Sequence, residues 1–154
     1  MHKKLNISFD LDSTLIPNGK EFETEKHHSL AKILKIETIR KGSKTLISDL
    51  QQQGHKIHIY TTSFRSKRKI RRALKYYGIK VDRIINEKEN RKVFNSLRIN
   101  ASKYPPAFGF DVHIDDLEGV NIEGNKFNFN VIVVQPSDKN WIQTIKNRIN
   151  SFKD

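Results

Sequence analysis

The sequence contains no cysteine, and it has only one methionine and one tryptophan among its 154 residues. The lack of cysteine excludes a disulfide framework, a thiolate metal site and a cysteine nucleophile. Long apolar runs are missing as well, since no stretch approaches the about 18 apolar residues of a membrane span. The apolar run after Met1 is interrupted by Asn6, Ser8 and Asp10, which is not typical of a signal peptide. We therefore expect a soluble, cytoplasmic protein that does not associate with membranes.

Negative charge is scarce, because 17 acidic residues face 29 basic ones and the formal net charge is +12. Much of the excess lies between residues 65 and 103, where few aromatic residues are interspersed. A basic stretch of this kind either binds a polyanion such as nucleic acid or is a solvated helix surface. The composition leaves both interpretations open.

The apolar residues occur in short dense runs that alternate with helical patterns. These patterns predict strands at 5–10, 56–61, 81–85, 110–114 and 127–134, and helices at 39–53, 66–77, 87–97 and 137–152. Strands that alternate with helices form a parallel sheet covered by helices on both faces. We therefore predict an α/β protein, a single three-layer Rossmann-like domain over 1–154 with a mainly parallel five-stranded sheet.

Polar residues follow three of the predicted strands directly. They are Asp10 and Asp12 after the first strand, Thr61 and Thr62 after the second, and Asp115 and Asp116 after the fourth. Ligands of open α/β sheets bind outside the carboxyl ends of the strands. The sequence therefore predicts that these side chains, distant along the chain, meet in one crevice.

Four of these features resemble the motifs of one known family. The segment from Phe9 to Thr14, Phe-Asp-Leu-Asp-Ser-Thr, resembles the Asp-x-Asp-x-Thr motif of the haloacid dehalogenase (HAD) superfamily. The strand that ends at Thr61 resembles the second motif of that family, and Lys103 resembles the lysine of the third. The pair Asp115 and Asp116 resembles the acidic fourth motif. The four motifs follow the family order over nearly the whole chain, so the sequence is similar to a small HAD phosphatase.

This resemblance implies a Mg²⁺-dependent phosphatase that hydrolyses a phosphomonoester through an aspartyl-phosphate on Asp10. Asp12 would act as the general acid and base, and HAD members that cleave carbon–halogen bonds lack this second aspartate. A carboxylate that approaches a phosphate dianion meets repulsion of about 4 kcal/mol per charge pair at about 4 Å. A cation held by oxygen ligands cancels that repulsion, which explains why the motifs include so many carboxylates.

The resemblance also assigns the remaining roles. Thr61, Thr62 and Lys103 would bind the phosphoryl oxygens. The metal ligands would be Asp10, Asp12 through its backbone carbonyl, Asp115 and Asp116, with Asp115 acting either directly or through a metal-bound water.

Two further residues, Lys92 and His113, were considered for the site. Lys92 also precedes the acidic pair and is the alternative to Lys103, which we prefer because it lies in an irregular segment before the acidic strand. His113 is expected to point away from Ile114 and to be packed or exposed, without a catalytic role.

HAD members often carry a cap domain between the first and second motifs. The short interval between Thr14 and Thr61 leaves room only for a β-flap and a short helical insert, at about 15–36, so we expect a minimal cap and an open site. The substrate is then either a small molecule or a macromolecule. The main alternative function is a noncatalytic or weakly catalytic polyanion (nucleic acid) binding protein on a HAD scaffold. A response-regulator receiver domain fits less well, because its acidic pair comes first and its lysine last.

Overall fold

The computed structural model describes residues 3–152, in which strands and helices alternate. The strands are β1 (Asn6–Phe9), β2 (Lys56–Tyr60), β3 (Arg83–Ile85), β4 (Val112–Asp115) and β5 (Asn130–Val133). The helices are α1 (Ser29–Ile33), α2 (Ser43–Gln52), α3 (Lys67–Tyr76), α4 (Glu87–Leu97), α5 (Glu118–Phe127) and α6 (Trp141–Ser151). A 3₁₀ helix, Pro105–Phe108, precedes β4.

The five strands form one sheet in the order β3-β2-β1-β4-β5, and every pair is parallel. The first strand of the chain is therefore the central one. Its last residue, Phe9, lies opposite Ile59 of β2 and Ile114 of β4. The predicted fold class is confirmed: the chain is an α/β Rossmann-like protein, and its sheet is entirely parallel. This order brings the carboxyl ends of β1, β2 and β4 side by side.

The sheet is buried on both faces, as a parallel sheet requires. Phe9, Ile59 and Ile114 are completely buried at the level where β1, β2 and β4 are paired. The helices contribute apolar side chains to the same core, for example Leu46 of α2 and Ile145 of α6. Each large apolar side chain buried in this way contributes about 1.5–3 kcal/mol. The core thus fixes the strand ends from which the polar residues project.

Helices α3 and α4 begin at the carboxyl edge of the sheet with side-chain caps. Ser66 accepts a hydrogen bond from the Lys69 amide, and Asn86 accepts one from the Glu89 amide. Such caps stabilise a helix start by about 1 kcal/mol. The Asn86 side chain also donates to the Arg65 carbonyl at 3.0 Å, so it ties the loop after β2 to the start of α4.

Helix α5 was not predicted, and the strand predicted at 127–134 starts only at Asn130. Phe127 belongs instead to the last turn of α5. The helix contains two glycines, Gly119 and Gly124, a residue that local propensity disfavours in helices. Gly124 is needed there because a Cβ atom would lie 2.8 Å from the Phe129 carbonyl oxygen and 2.9 Å from Val131 Cγ2. The helix can approach β5 so closely only without a side chain at this position.

The predicted helix at 39–53 is shorter than expected and starts at Ser43. Gly42 precedes it with a φ of 87°, a left-handed conformation that interrupts the helical pattern. The helix therefore does not extend back to Ile39.

The segment between β1 and α2 contains the short helix α1 and an isolated antiparallel bridge between Thr24 and Arg40. The buried Arg40 guanidinium lies between the rings of Phe22 and Trp141, 4.4 and 4.6 Å from their centroids. It also donates to three backbone carbonyls in the segment that follows β5. Arg40 therefore attaches this segment to the loop between β5 and α6. Its interpretation as a minimal substitute for a cap domain stays a prediction.

Across residues 3–152, none of the helices has both the length and the apolar character that crossing a membrane requires.

Candidate active site

Three carboxylates gather at the carboxyl ends of the two adjacent strands β1 and β4. Asp10 follows β1, and its amide donates to the Ile114 carbonyl at 2.9 Å. Asp115 is the last residue of β4, and Asp116 follows it. Asp10, Asp115 and Asp116 each offer an oxygen within 4.8 Å of the others. The parallel register thus brings together residues that are separated by more than half of the chain.

Lys103 joins two of these carboxylates. Its Nζ lies 2.9 Å from Asp10 Oδ1 and 2.6 Å from Asp115 Oδ2, and the lysine is almost completely buried. Lys92, the alternative considered for this role, lies exposed on α4. Of the two lysines, Lys103 is the one that contacts the carboxylates of Asp10 and Asp115.

The position of Lys103 depends on a buried tyrosine in β2. The Tyr60 hydroxyl donates to Asn90 Oδ1 at 2.5 Å and accepts from the Tyr104 amide at 2.9 Å. The Asn90 side chain in turn donates to the Ser102 carbonyl at 3.3 Å. The backbone on both sides of Lys103 is therefore held by side chains of β2 and α4. Lys103 lies in an irregular segment, and these hydrogen bonds hold the backbone of that segment in place.

The buried charges modify one another. Burial, with the like charge of Asp115 in addition, raises the pKa of Asp10 although Lys103 opposes the shift. Burial alone would lower the pKa of Lys103, but the carboxylates of Asp10 and Asp115 outweigh it and raise that pKa. Burial would also raise the pKa of Asp115, yet the hydrogen bonds from His113 and Lys103 and the charge of Lys103 hold it well below its usual range. Lys103 and Asp115 are therefore a charged pair at neutral pH.

His113 supports this pair from the opposite side. Its Nε2 lies 3.0 Å from Asp115 Oδ2, and its Nδ1 lies 2.8 Å from the Ser8 hydroxyl oxygen. Burial and the nearby Lys103 lower the pKa of His113, which favours the neutral form of the ring. A neutral ring satisfies both contacts if Nε2–H donates to Asp115 and Nδ1 accepts from Ser8.

His113 is packed, which is one of the two environments expected for it, and its ring alternates away from Ile114. Its hydrogen bond to Asp115 was not expected. His113 and Asp115 are two residues apart in a strand, and residues at that spacing share a face. This spacing was the signal that connected the histidine to the site.

Asp116 is hydrogen-bonded to Thr14 in the loop after β1. Its Oδ1 accepts a hydrogen bond from the Thr14 hydroxyl at 3.1 Å. Burial and the neighbouring charge of Asp115 raise the pKa of Asp116. The threonine of the Asp-x-Asp-x-Thr segment thus ties the loop after β1 to the acidic pair after β4.

Asp12 lies at the entrance of the site, with 52% of its side chain exposed. Its two oxygens face the Arg65 guanidinium at 2.8 and 3.0 Å. The same guanidinium binds the Glu37 carboxylate, with its Nε at 2.9 Å from Glu37 Oε2. Arg65 had been interpreted only as part of the basic stretch, so its contact with Asp12 was missed.

The two threonines after β2 occupy different environments. Thr61 is buried, and its hydroxyl accepts from the Ser63 amide at 3.1 Å. Because Phe9 is paired with Ile59, Thr61 lies one residue beyond the level of Asp10 on the neighbouring strand. Thr62 is exposed on the loop that follows. The loop therefore presents one threonine beside the carboxylates and one to the solvent.

The carboxylate cluster has the composition of a site for a hard divalent cation. When all three carboxylates are ionised, they and the single ammonium of Lys103 leave an excess of two negative charges, and the raised pKa values of Asp10 and Asp116 reflect the cost of that excess. A buried excess of this size is costly unless a cation compensates it. Mg²⁺ prefers oxygen ligands and binds one or two carboxylates together with water and phosphate. The residues present therefore fit Mg²⁺.

Comparisons with known proteins add evidence on the fold. No protein family model and no curated protein sequence match this chain. Among solved structures it is similar to a chain of a Pnkp1/Rnl/Hen1 complex, with a TM-score of 0.54 and 20% identity over 86% of this chain and 46% of that one. A structure of the Pnkp1/Rnl/Hen1 RNA repair complex gives a TM-score of 0.52, 17% identity, and coverage of 88% and 45%. This chain thus spans less than half of those two chains.

A third solved structure matches over nearly its full length. It is a predicted phosphatase from Clostridium acetobutylicum, with a TM-score of 0.53 and 14% identity over 97% of this chain and 99% of that one. At such identities the likeness shows the Rossmann-like α/β fold that this chain shares with a predicted phosphatase.

Proposed function

We propose that the protein is a Mg²⁺-dependent phosphatase of the HAD type that forms an aspartyl-phosphate on Asp10. One observation carries the proposal: the Asp10 carboxylate lies at the end of the central strand, bound to Lys103 and within 4.8 Å of the oxygens of Asp115 and Asp116. The fold shared with a predicted phosphatase supports the same reaction class.

In the first half-reaction a carboxylate oxygen of Asp10 attacks the phosphorus of the monoester. The bond between phosphorus and the ester oxygen breaks, and Asp12 transfers its proton to the departing oxygen. Lys103 holds Oδ1 of Asp10 at 2.9 Å and so fixes the direction in which the carboxylate faces. Nucleophilic catalysis of this kind divides one difficult substitution into two easier ones.

In the second half-reaction water attacks the phosphorus of the aspartyl-phosphate, and Asp12 accepts the proton of that water. The bond between phosphorus and Asp10 breaks, which releases phosphate and restores the carboxylate. Asp12 is suited to both steps because its half-exposed side chain is accessible to solvent. General acid–base catalysis of this kind contributes about 10²–10⁴-fold.

The carboxylates of Asp10, Asp115 and Asp116 and the backbone carbonyl of Asp12 would hold the Mg²⁺ ion. When bound, the ion would neutralise the charge that accumulates between the carboxylates and the phosphate. Thr61 and Thr62 donate hydrogen bonds to the phosphoryl oxygens, and Lys103 adds positive charge beside them.

The test is phosphate release from p-nitrophenyl phosphate with Mg²⁺ and with a chelator. We expect release only with Mg²⁺, no release by Asp10→Asn, and a loss of about 10²–10⁴-fold in Asp12→Asn. Asp49→Asn is the matched control, because Asp49 pairs with Lys146 on the surface far from the site. A folded wild-type protein that releases no phosphate from any monoester with Mg²⁺ would contradict the proposal.

The second candidate is a nucleic-acid-binding protein without catalysis. It is favoured by α3, which carries six basic residues and no acidic one, and by the fold shared with chains of an RNA repair complex. This candidate predicts salt-dependent binding of RNA without turnover of any phosphoester. Equal RNA affinity of the wild type and Asp10→Asn, with no activity in either, would favour it.

A further inference from the structure

The exposed face of α3 is the most basic part of the helical surface. Ile70, Ala73 and Leu74 of this helix face the core. Its basic residues surround that buried strip, and all of them are exposed: Lys67, Arg68, Lys69, Arg71, Arg72 and Lys75. At 100° per residue, positions 68, 71 and 75 fall within about 60° of one another, on the exposed side of the helix. They form a stripe, here called the α3 stripe (Arg68, Arg71 and Lys75).

Two basic neighbours of the stripe form ion pairs, but the residues of the stripe form none with any described residue. Lys67 pairs with Glu89 of α4, and Lys69 lies 3.6 Å from Glu37. Within residues 3–152, no acidic side chain forms an ion pair with Arg68, Arg71 or Lys75. Ion pairs therefore connect α3 to α4 and to Glu37. The α3 stripe keeps its positive charge, which a bound anionic partner would neutralise. Arginine-rich surfaces suit phosphate groups, because a guanidinium binds phosphate through two parallel hydrogen bonds.

The helix that carries the stripe follows the loop of Arg65. Helix α3 starts at Lys67, two residues after Arg65, which binds Asp12, and it leads away from the carboxyl edge of the sheet. From Arg68 to Lys75 the helix rises by about 10 Å. The helix thus runs from the carboxyl edge, where the candidate site lies, toward the opposite edge of the sheet, and the stripe follows it along that length.

An exposed aromatic residue, Phe64, directly precedes Arg65 in the loop between β2 and α3. Phe64 is 78% exposed, the largest exposed fraction among the large apolar side chains described. The Arg91 guanidinium lies over its ring, 5.2 Å from the centroid. An aromatic ring exposed in a basic environment is the usual platform for a nucleic acid base, because every base has a face that stacks.

We infer that the substrate is the phosphorylated end of a single-stranded nucleic acid. Its terminal base stacks on Phe64, and its backbone phosphates lie along the α3 stripe while the terminal phosphate enters the site. This inference rests on the proposed phosphatase function, which it makes specific. The charge stripe alone would also suit a phosphoprotein with an acidic surface, but the exposed aromatic ring favours a base.

The first experiment measures turnover of 5′- and 3′-phosphorylated oligonucleotides, of RNA and of DNA, about ten nucleotides long, beside a phosphopeptide and p-nitrophenyl phosphate. We expect kcat/KM to be highest for one of the oligonucleotides. The Phe64→Ala variant should lower kcat/KM on that oligonucleotide, relative to p-nitrophenyl phosphate, by about 5- to 100-fold. The RNA and DNA arms identify the sugar, and the two ends identify the position of the phosphate.

The second experiment measures binding of the same oligonucleotide by fluorescence anisotropy at several salt concentrations. The triple variant Arg68→Gln, Arg71→Gln, Lys75→Gln should make the slope of log affinity against log salt less negative by about 2, since each lost phosphate contact contributes about 0.7. The control triple is Lys56→Gln, Lys80→Gln, Lys126→Gln, which removes the same charge from exposed positions at the opposite edge of the sheet. It should bind with the slope of the wild type.

The outcomes separate the inference from the proposed function. If no monoester is hydrolysed, the phosphatase proposal fails, and anisotropy still decides whether the stripe binds nucleic acid. If p-nitrophenyl phosphate or the phosphopeptide is preferred over every oligonucleotide, the inference is wrong while the phosphatase proposal holds. Equal effects of the two triple variants on the salt slope would also overturn it, because the attraction would then be a property of net charge.

Discussion

Arg65 binds the carboxylate of Asp12 through two nitrogens, with Nη2 at 2.8 Å from Oδ1 and Nη1 at 3.0 Å from Oδ2. The guanidinium is itself fixed by Glu37, which it meets at 2.8 and 2.9 Å. A bidentate pair restrains both the position and the plane of a carboxylate. Arg65 is therefore a positioning residue for Asp12 if Asp12 is the general acid and base.

The Arg65→Met variant tests this role through the leaving group. A poor leaving group such as a simple alcohol needs a proton from Asp12, whereas p-nitrophenolate departs without much help. We expect kcat/KM for an alkyl phosphate to fall by about 10- to 100-fold more than kcat/KM for p-nitrophenyl phosphate. Steady-state rates on the two substrates measure the difference. The control is Lys69→Gln, because Lys69 contacts Glu37 but not Asp12. Equal losses on both substrates would show that Arg65 merely supports the fold.

Lys103 stabilises the fold as well as the site. The Lys103→Met variant leaves the buried carboxylates of Asp10 and Asp115 without their cation, which costs about 3–5 kcal/mol of unfolding free energy when a buried pair is broken. Urea denaturation measures the loss. The matched control, Lys92→Met, removes an exposed lysine and should change the unfolding free energy by less than about 0.5 kcal/mol.

A second substitution checks the reason for that loss. Asp115→Asn removes one of the two carboxylates, so the double variant with Lys103→Met should be more stable than the sum of the single losses predicts. We expect a coupling of about 1–3 kcal/mol between the two sites. Additive losses would mean that Lys103 contributes by packing rather than by charge.

The sequence predicted the parts of the site that follow from strand ends. Asp10 and Asp115 were found because a polar residue after an apolar strand in a parallel sheet must lie at the carboxyl edge. Lys103 was preferred over Lys92 for its irregular surroundings, and the contacts of Tyr60 and Asn90 supply the physical reason for its position. Such long-range support cannot be read from local pattern.

Other features of the site and the fold could not be predicted without the three-dimensional structure. Arg65 looked like one more cation in a basic stretch, and only the turn after β2 brings it to Asp12. Helix α5 was missed because a close helix–strand contact selected Gly124, a residue that local propensity disfavours in helices. In both cases tertiary structure decided what local preference left open.

Mg²⁺ should stabilise the folded protein. An ion that binds only the native state at about 100 times its Kd contributes about 2.7 kcal/mol, which corresponds to a rise in Tm of about 5–10 °C for a domain of this size. Thermal denaturation with and without Mg²⁺ measures the shift. Asp116→Asn removes one of the clustered carboxylates and should abolish most of it. The surface control Asp49→Asn should respond to Mg²⁺ like the wild type. An unchanged Tm at millimolar Mg²⁺ would contradict a metal site at this cluster.

His113 should set the strength of that metal site without binding the metal. Its Nε2 holds Asp115 at 3.0 Å, and Ser8 holds its Nδ1 at 2.8 Å, so the ring fixes the carboxylate from behind. Loss of such a supporting hydrogen bond typically weakens metal affinity by about 10–100-fold. We expect His113→Leu to raise the Kd for Mg²⁺ by that factor in calorimetric titration, and Ser8→Ala to raise it less. The control His28→Leu changes an exposed histidine whose side chain does not cap α1. If His113→Leu folds and binds Mg²⁺ like the wild type, the contacts of Asp115 with Lys103 and the Leu117 amide suffice to orient it.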